Sequence, residues 1–482
     1  MLWTIAKREF LENILNKRFL IATVLCLVLI PLSFYLSLQD YRRKLENYSI
    51  SLRKQELFSG LVGTYRWSSG AVMKRGRSVE PGGQVKRPAV LSIFAKGCDD
   101  KLSGPFELQG RWLQPFFGRS QEPNPLFAIY PTPDYLFVVE VVMSLLALLF
   151  AFDSIAGERT QGTLQLALSN PIPRDVFLLG KLLGGYAGLA LPFLAATLFS
   201  LAFLSLSPTV VLSEGDWARI ALIVLISLVY IFIFYLLGLL ISSRSQSPSK
   251  ALLLSLFLWV LLVPVGPSLG ALMARAIRPV MSAEQAAARR YDWAKRRIEE
   301  AQKIYRSPDT DAMEYELPIH HEIDWEIAQH LDRIDQLRRR QQGRLVSLTK
   351  YIGRITPVGT LVFAVTSLAG TSVDDLLRYK DEAMRAKRDK MEEVYLPWSE
   401  AEKLLRKRGY TEEEIAKLKR RIHITSDTKI IVKEPGQVSF SLKEKTLGES
   451  LNQALPDFGV LLCFAVGLFL CVHLSFLRAD IG

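Results

Sequence analysis

The chain has 482 residues, 49% of them hydrophobic and 22% charged, with a formal net charge of +12. A charged fraction near the soluble average coexists with so apolar a composition only if apolar residues are gathered into blocks, which excludes an ordinary soluble globular protein. The basic excess interleaves with Asp and Glu along solvated helix faces, excluding nucleic acid as the partner, and Cys98 is the one cysteine outside the apolar runs, excluding a disulfide-stapled outer domain.

In chain order, residues 1–18 come first, with Leu2, Ile5, Phe10, Ile14 and Leu15 at helical spacing among Lys7, Arg8, Glu9, Glu12 and Lys17. That pattern predicts an amphipathic helix lying in the lipid interface. Six apolar runs follow at 19–38, 135–152, 182–206, 218–241, 251–273 and 457–477. Each has about the 20 residues that cross a bilayer as a helix. A barrel would alternate apolar and polar residues, so six helical spans are expected. The first run is too long for a secretory signal, and QDYRRK after it offers no cleavage site.

Short flanks set the orientation. Lys7, Arg8, Lys17 and Arg18 precede the first span, Arg159, Arg174 and Lys181 lie between the second and third, Arg244 and Lys250 between the fourth and fifth, and Arg478 follows the sixth. The short segment 207–217, of opposite parity, carries Glu214 and Asp216 with no Lys or Arg. Both termini are therefore expected in the cytoplasm, with the chain multi-pass. Segments 39–134 and 274–456 then lie outside it.

In the first outer segment, PAVLSIF (88–94) and FELQGRW (106–112) read as short strands of a small α+β domain. In the second, Tyr291, Ala294, Ile298, Ala301 and Ile304 are answered by Ile323, Ile327, Leu331, Ile334 and Leu337 across a polar break, a pattern for an antiparallel helical hairpin. TLVFAVTSLAG (360–370) is too short to span, and is either an interfacial helix at the outer mouth of the spans or a buried helix. KIIVKEPGQVSFSL (429–442) reads as a hairpin. The expected fold class is thus an all-α polytopic membrane protein with an N-terminal amphipathic helix, six spans, and extracytoplasmic α+β and helical-hairpin insertions. Its segments are 1–18, 19–38, 39–134, 135–152, 153–181, 182–273, 274–456 and 457–482.

Catalytic signatures are missing. Gly180-Lys181 is followed by Leu182 and lacks the glycine-rich cradle of a phosphate-binding loop, so nucleotide hydrolysis is not expected in this chain. His320, His321, Glu322 and His330 lack zinc-ligand spacing, and no cofactor or metal is expected here. Of the ionisable residues inside the spans, Glu140 either lines an outer cavity on a transport pathway or sits near the interface.

The segment FAFDSIAGERTQGTLQLALSNPIPRDVFLLGK resembles the intracellular loop of ABC-2 type permeases, the membrane subunits of ABC exporters. The resemblance rests on Asp153, Gly157, Glu158, Arg159, Gly162, Thr163, Leu164, Ser169, Pro171, Arg174, Gly180 and Lys181 in the family's order. It implies that 153–181 contains a coupling helix docking on a separate ABC ATPase subunit, which binds the ATP and Mg. In that role Leu164, Leu166 and Leu168 supply apolar contact, Glu158, Arg159 and Arg174 bond at the rim, and Gly162 and the break at Pro171 set the turns. It also implies a second permease chain, identical or paralogous, and contact with membrane lipid. The long 274–456 insertion departs from the family's short loop and leaves room for an extracytoplasmic protein partner. Two other readings stand beside export: an ABC-type machine that transmits force without passing a substrate, and an envelope scaffold without an ATPase.

Overall fold

A computed structural model describes residues 2–62, 84–109, 114–117, 133–169, 173–305, 316–407, 409, 411–413, 415–416, 429–431 and 445–478. Helix α1 (Leu2–Ile14) leads into α2 (Lys17–Val62). Strand β1 (Gln84–Val85), a 3-10 turn (Val90–Ile93), α3 (Asp99–Leu102), β2 (Pro105–Gln109) and β3 (Gln114–Phe117) follow. Helix α4 (Tyr135–Phe137) continues through a π-helical stretch (Val138–Met143) into α5 (Ser144–Ala151), followed by α6 (Ala156–Gln161) and α7 (Thr163–Leu168). Next come α8 (Arg174–Ser205), α9 (Glu214–Arg244), α10 (Pro248–Val260) and, after a π-helical stretch, α11 (Gly266–Ile277). The remainder is α12 (Ala283–Tyr305), α13 (Glu316–Gly353), α14 (Pro357–Ala369), α15 (Val373–Val394), β4 (Tyr395–Pro397), α16 (Trp398–Lys407), β5 (Lys429–Ile431) and α17 (Leu447–Leu477).

Six stretches are long and apolar enough to cross a membrane: Lys17–Arg53, Tyr135–Gln161, Arg174–Ser205, Glu214–Arg244, Pro248–Ile277 and Leu447–Leu477. The chain is an all-α polytopic membrane protein. Helix α9 is the axis of the bundle. It packs against α5, α14 and α17, and Ile223, Tyr230, Ile231, Phe234 and Leu239 are wholly buried along it. A Cβ on Gly238 would stand 2.8 Å from Ala151 Cβ, the kind of close backbone approach that apolar solvent, which drives no hydrophobic collapse, leaves to small residues. Leu253 and Phe257 on α10, by contrast, are turned outward, as lipid-facing side chains are.

At the end of the bundle away from the termini, the two long insertions share one unit. Helix α2 runs 46 residues, roughly 69 Å at 1.5 Å per residue, and so projects beyond the bundle. Lys44 on it is buried among Asp40 (3.2 Å), Asp99 (2.8 Å) and Asp100 (2.6 Å), while Lys96 reaches Asp40 at 3.0 Å. Cys98 N donates to Thr371 O (2.8 Å), Thr371 Oγ1 donates to Ala95 O (2.9 Å), and Leu102, Phe106, Leu376, Tyr379 and Ala383 form a common core. The strands β1, β2 and β3 make an antiparallel sheet with Phe106 opposite Phe117, and β4 pairs with β5.

Three sequence expectations are resolved here. PAVLSIF is not a strand, because Leu91, Ile93, Phe94 and Ala95 are all buried rather than alternating. The segment turns once in 3-10 form and drives Phe94 edge-on into Phe34 (4.9 Å) and Tyr135 (5.6 Å). The 360–370 segment is the buried alternative: α14 is wedged between α9 and α17, with its first turn capped by Thr356 Oγ1, which accepts from Gly359 N at 3.2 Å. Arg354 just before it pairs with the buried Asp457 at 2.6 Å, tying α14 to α17. The helical hairpin forms from α12 and α13, but its seam is Trp293, Ala294, Ile298, Ile327 and Leu331, whereas Tyr291 and Leu337 face outward. His330 stacks on Trp293 at 4.0 Å, so its ring packs the seam. The side chains of Ala301, Ile304 and Ile323, and all of 432–442, lie outside the described residues.

Candidate functional site

The loop between the second and third spans is built from two short helices joined at an angle. Gly162 makes the joint. It ends α6 at φ +73°, a conformation that costs other L residues roughly 1–2 kcal/mol, and nothing lies within 4 Å of where its Cβ would be. Only the backbone, not crowding, asks for glycine there. Thr163 Oγ1 reaches back to Glu158 O (3.3 Å) and Thr160 Oγ1 to Gly157 O (2.8 Å), closing the angle between α6 and α7.

This angled piece is fastened to the spans by polar bonds. Ser242 on α9 accepts from both Ile155 N and Ala156 N at 3.0 Å, capping α6 from another helix in place of a local N-cap. Arg159 donates from its two terminal nitrogens to Ser245 O (3.1 Å) and Ser243 O (3.2 Å), so its charge sits on the C-terminal carbonyls of α9. Arg174 does the same for α17 through Leu477 O at 3.1 Å. A cation at a helix C-terminus gains about 0.3–1 kcal/mol from the helix dipole. Asp153 accepts from Arg18 at the start of α2 (2.5 Å), and the Arg18 guanidinium lies over the Phe152 ring.

The deepest fastening is a triad. Lys181 on α8 is only 4% exposed, with Nζ 3.0 Å from Glu9 Oε2 on α1 and 2.8 Å from Glu158 Oε1 on α6. Burial pushes the Glu9 carboxyl above its ordinary range, and Lys181 opposes that shift. Helix α1 comes close enough to join because α8 offers a groove of glycines spaced four apart. A Cβ on Gly180 would lie 2.6 Å from Ile5 Cγ2, and one on Gly184 would lie 2.4 Å from Ala6 O and 2.8 Å from Glu9 Cβ. Gly184→Val is therefore expected to lift α1 off α8 and lower stability by about 1–3 kcal/mol, read as a fall in thermal midpoint with faster proteolysis of residues 1–18. An unchanged midpoint with a protected N-terminus would argue against this packing.

The predicted site residues divide sharply. Leu164 is 2% exposed and belongs to the main core, so it turns into the bundle and not toward a groove. Glu158, Arg159 and Arg174 are engaged within the chain. Asp153, Gly157 and Gly162 shape or brace the loop. What α6 and α7 expose is polar: Thr160, Gln161, Thr163 and Gln165, with Ser169 just beyond. Pro171 and the side chains of Leu166 and Leu168 lie outside the described residues. Sequence reading missed Glu9, Arg18, Ser242 and the carbonyls of Ser243 and Ser245, and gave Lys181 no role. One signal was present, the Gly180, Gly184, Gly188 spacing that marks close helix packing.

Glu140 is far from this loop, near the opposite end of the same span. It sits half-buried in the π-helical stretch, whose freed carbonyl at Glu140 accepts from Tyr230 Oη (3.0 Å) and Ser144 Oγ (2.5 Å). Trp259 Nε1 in turn donates to Ser144 Oγ (2.9 Å), so the widened turn is held from α9 and α10. No cation among the described residues pairs with the Glu140 carboxylate.

A family profile described as "ABC-2 family transporter protein" matches residues 3–307, which take in α1, the angled loop and the first five spans. The chain belongs to that family. A relative from Pseudomonas aeruginosa, "Probable ABC transporter permease protein NosY", is 39% identical over 130 residues, 25% of this chain and 44% of the relative. The chain thus spans less than half the length of that relative. The family match ends just past α12, so α13 to α17, including the wedge α14 and the sixth span, lie beyond it.

Proposed function

We propose that this chain is the permease subunit of an ABC exporter-like complex in a bacterial inner membrane, with both termini and residues 153–181 on the cytoplasmic side. A separate ATPase subunit binds ATP and Mg and docks on the angled loop; two permease chains and two ATPase subunits complete the assembly. One observation supports this most strongly: the loop is braced to α1, α2, α8 and α9 yet shows only polar side chains at its described tip. A helix resting on lipid would turn Leu164 outward. Here the leucine anchors the loop and the polar tip meets water or protein.

In this reading a push on α7 moves a rigid block. Arg159 passes it to α9, Lys181 to α8 and α1, and Asp153 to α2, so displacement is shared by three spans and the N-terminal helix as a rigid-body switch. Glu158, Arg159 and Arg174 act as the braces of that block, and the contact with the ATPase falls to Gln161, Thr163 and Gln165. Thr163→Arg with Gln165→Trp, both on exposed positions, should cut recovery of the ATPase with the tagged chain about tenfold or more while leaving the thermal midpoint unchanged, since surface substitutions usually stay within about 0.5 kcal/mol. Full recovery of ATPase with this variant would remove the docking surface from the proposal.

A second reading, force transmission without substrate passage, is favoured by the outer arms. The 46-residue α2 and 38-residue α13 are long rigid levers, and α2 is locked at its base by the Lys44 cluster. ATPase activity stimulated by an outer protein partner, with no flux in sealed vesicles, would select it over export. An ATPase-free scaffold predicts no co-purifying ATPase at all.

A further inference from the structure

Helices α11 and α13 run antiparallel in a register fixed at two places. Ile352 Cγ2 lies 3.3 Å from where a Cβ on Gly270 would stand. Farther along, Met281 N donates to Gln341 Oε1 at 3.2 Å and Arg338 Nε donates to Met281 O at 3.3 Å. Residues 270–281 therefore travel beside 341–352. Arg278 comes to the level of Arg344, with Arg275 about one turn nearer the bundle and Arg340 about one turn farther from it.

All four arginines are exposed, and among the described residues none of their side chains has an ion pair or hydrogen bond. Their neighbours do: Arg354 holds Asp457, Arg290 holds Asp335 and Arg338 holds Met281 O. On the bundle side of the arginines both helices expose apolar groups, Leu269 and Leu272 from α11 and Tyr351 and Ile355 from α13 and the residues after it. Two helices of unrelated sequence thus bring in arginines just past an exposed apolar stretch, with exposed Ile277 among them, the mixed character of a hydrocarbon–headgroup boundary with an aromatic residue at the border. Lys and Arg are normally sparse next to spans on the outer side, which is where the proposed orientation places this boundary. Four unpaired guanidiniums there call for an anion, and their planar forks match phosphate oxygens.

We propose that Arg275, Arg278, Arg340 and Arg344 form a collar that binds the phosphate headgroups of anionic phospholipid in the outer leaflet, an inference that rests on the orientation given under the proposed function. The collar sits where the fifth span meets the helical hairpin. It therefore anchors the outer lever to the membrane surface at its pivot.

The test uses the full-length chain reconstituted in nanodiscs of phosphatidylcholine with a minor share of phosphatidylglycerol, followed by mass spectrometry of retained lipid. The wild-type chain should retain phosphatidylglycerol above its share. Each arginine near an anionic surface is worth about 5-fold in binding, so Arg275→Gln with Arg278→Gln, and separately Arg340→Gln with Arg344→Gln, should each lower the affinity for phosphatidylglycerol about 25-fold and bring its retained fraction close to its share, and the quadruple variant should abolish the enrichment. The two pairwise variants keep the test available if the quadruple variant does not fold. Enrichment unchanged in both pairs, or no enrichment in the wild type, overturns the collar. Orientation is checked separately with Ser347→Cys, on the same exposed stripe, in a chain without its other cysteines. Labelling of intact spheroplasts by an impermeant maleimide is expected. Labelling only after lysis would remove the orientation, whereas outside labelling with unchanged lipid enrichment removes the collar alone.

Discussion

Lys181→Met is expected to lower stability by about 3–5 kcal/mol, the range for removing one partner of a buried ion pair, and to sever the loop from α1 and α8. The substitution leaves Glu9 and Glu158 facing one site with no cation between them. Like charges so placed cannot both ionise easily, so one carboxyl must hold a proton. Burial already raises Glu9. A carboxyl whose folded pKa lies above its unfolded value contributes stability that is present below the unfolded pKa and is lost as pH rises through the folded one. The variant should accordingly be most stable in mild acid and lose stability toward neutral pH, with a steeper slope than the wild-type chain, in which Lys181 opposes the rise at Glu9. Thermal midpoints from pH 4.5 to 8 are the measurement. Adding Glu9→Gln and Glu158→Gln should restore most of the midpoint but not the coupling of ATPase activity, because bulk is recovered while the charged brace is not. A flat pH response in Lys181→Met, or full coupling in the triple variant, would show that the triad is packing and not a brace.

Lys44→Met is the counterpart at the opposite end of the bundle. It removes the cation shared by Asp40, Asp99 and Asp100; Lys96 still holds Asp40, whereas among the described residues Asp99 keeps a hydrogen bond from Ser103 Oγ at 3.4 Å and the longer-range attraction of Lys86. One buried carboxylate then loses its directly bonded countercharge, a cost of up to about 3–5 kcal/mol. The cost falls on the joint between α2 and residues 90–103, so hydrogen exchange should rise there and in Leu376–Ala383, which share that core. Among the described residues the angled loop has no bond to this cluster, so ATPase recovery should be unchanged. Loss of ATPase together with outer protection would mean the two ends are energetically one unit. Lys44→Met with Asp99→Leu should recover part of the loss, since an apolar pair of similar volume replaces a buried ion pair at little cost.

Much of the architecture was legible in the sequence. Apolar length identified all six spans, since crossing hydrocarbon as a helix demands about 20 residues in line. The angled loop was legible too, because Gly162 is required by a local backbone conformation and the order of Glu158, Arg159 and Arg174 is carried by a compact motif. The hairpin was legible as a type of structure but not in its seam. Tyr291 and Trp293 are two residues apart and only packing against His330 decides which turns inward. PAVLSIF misled because a short apolar run has no period of its own. Its conformation came from Phe34 and Tyr135, distant in the chain.

The roles of the charged residues were the least legible part. Nothing local to Arg159 says that its partners are carbonyls 84 and 86 residues away, nor does Lys181 announce a partner 172 residues behind it. By itself the sequence determined the membrane class, the six spans, the family and the place of the loop, because hydrophobic length and local backbone demands act over a few turns. The tertiary structure alone decided that Leu164 is buried in the main core, that Glu158, Arg159 and Arg174 brace the loop from within the chain, and that both long insertions share one unit. Those outcomes depend on which helices meet, and an ion pair buried between helices exists only once packing has brought its partners together and excluded water from around them.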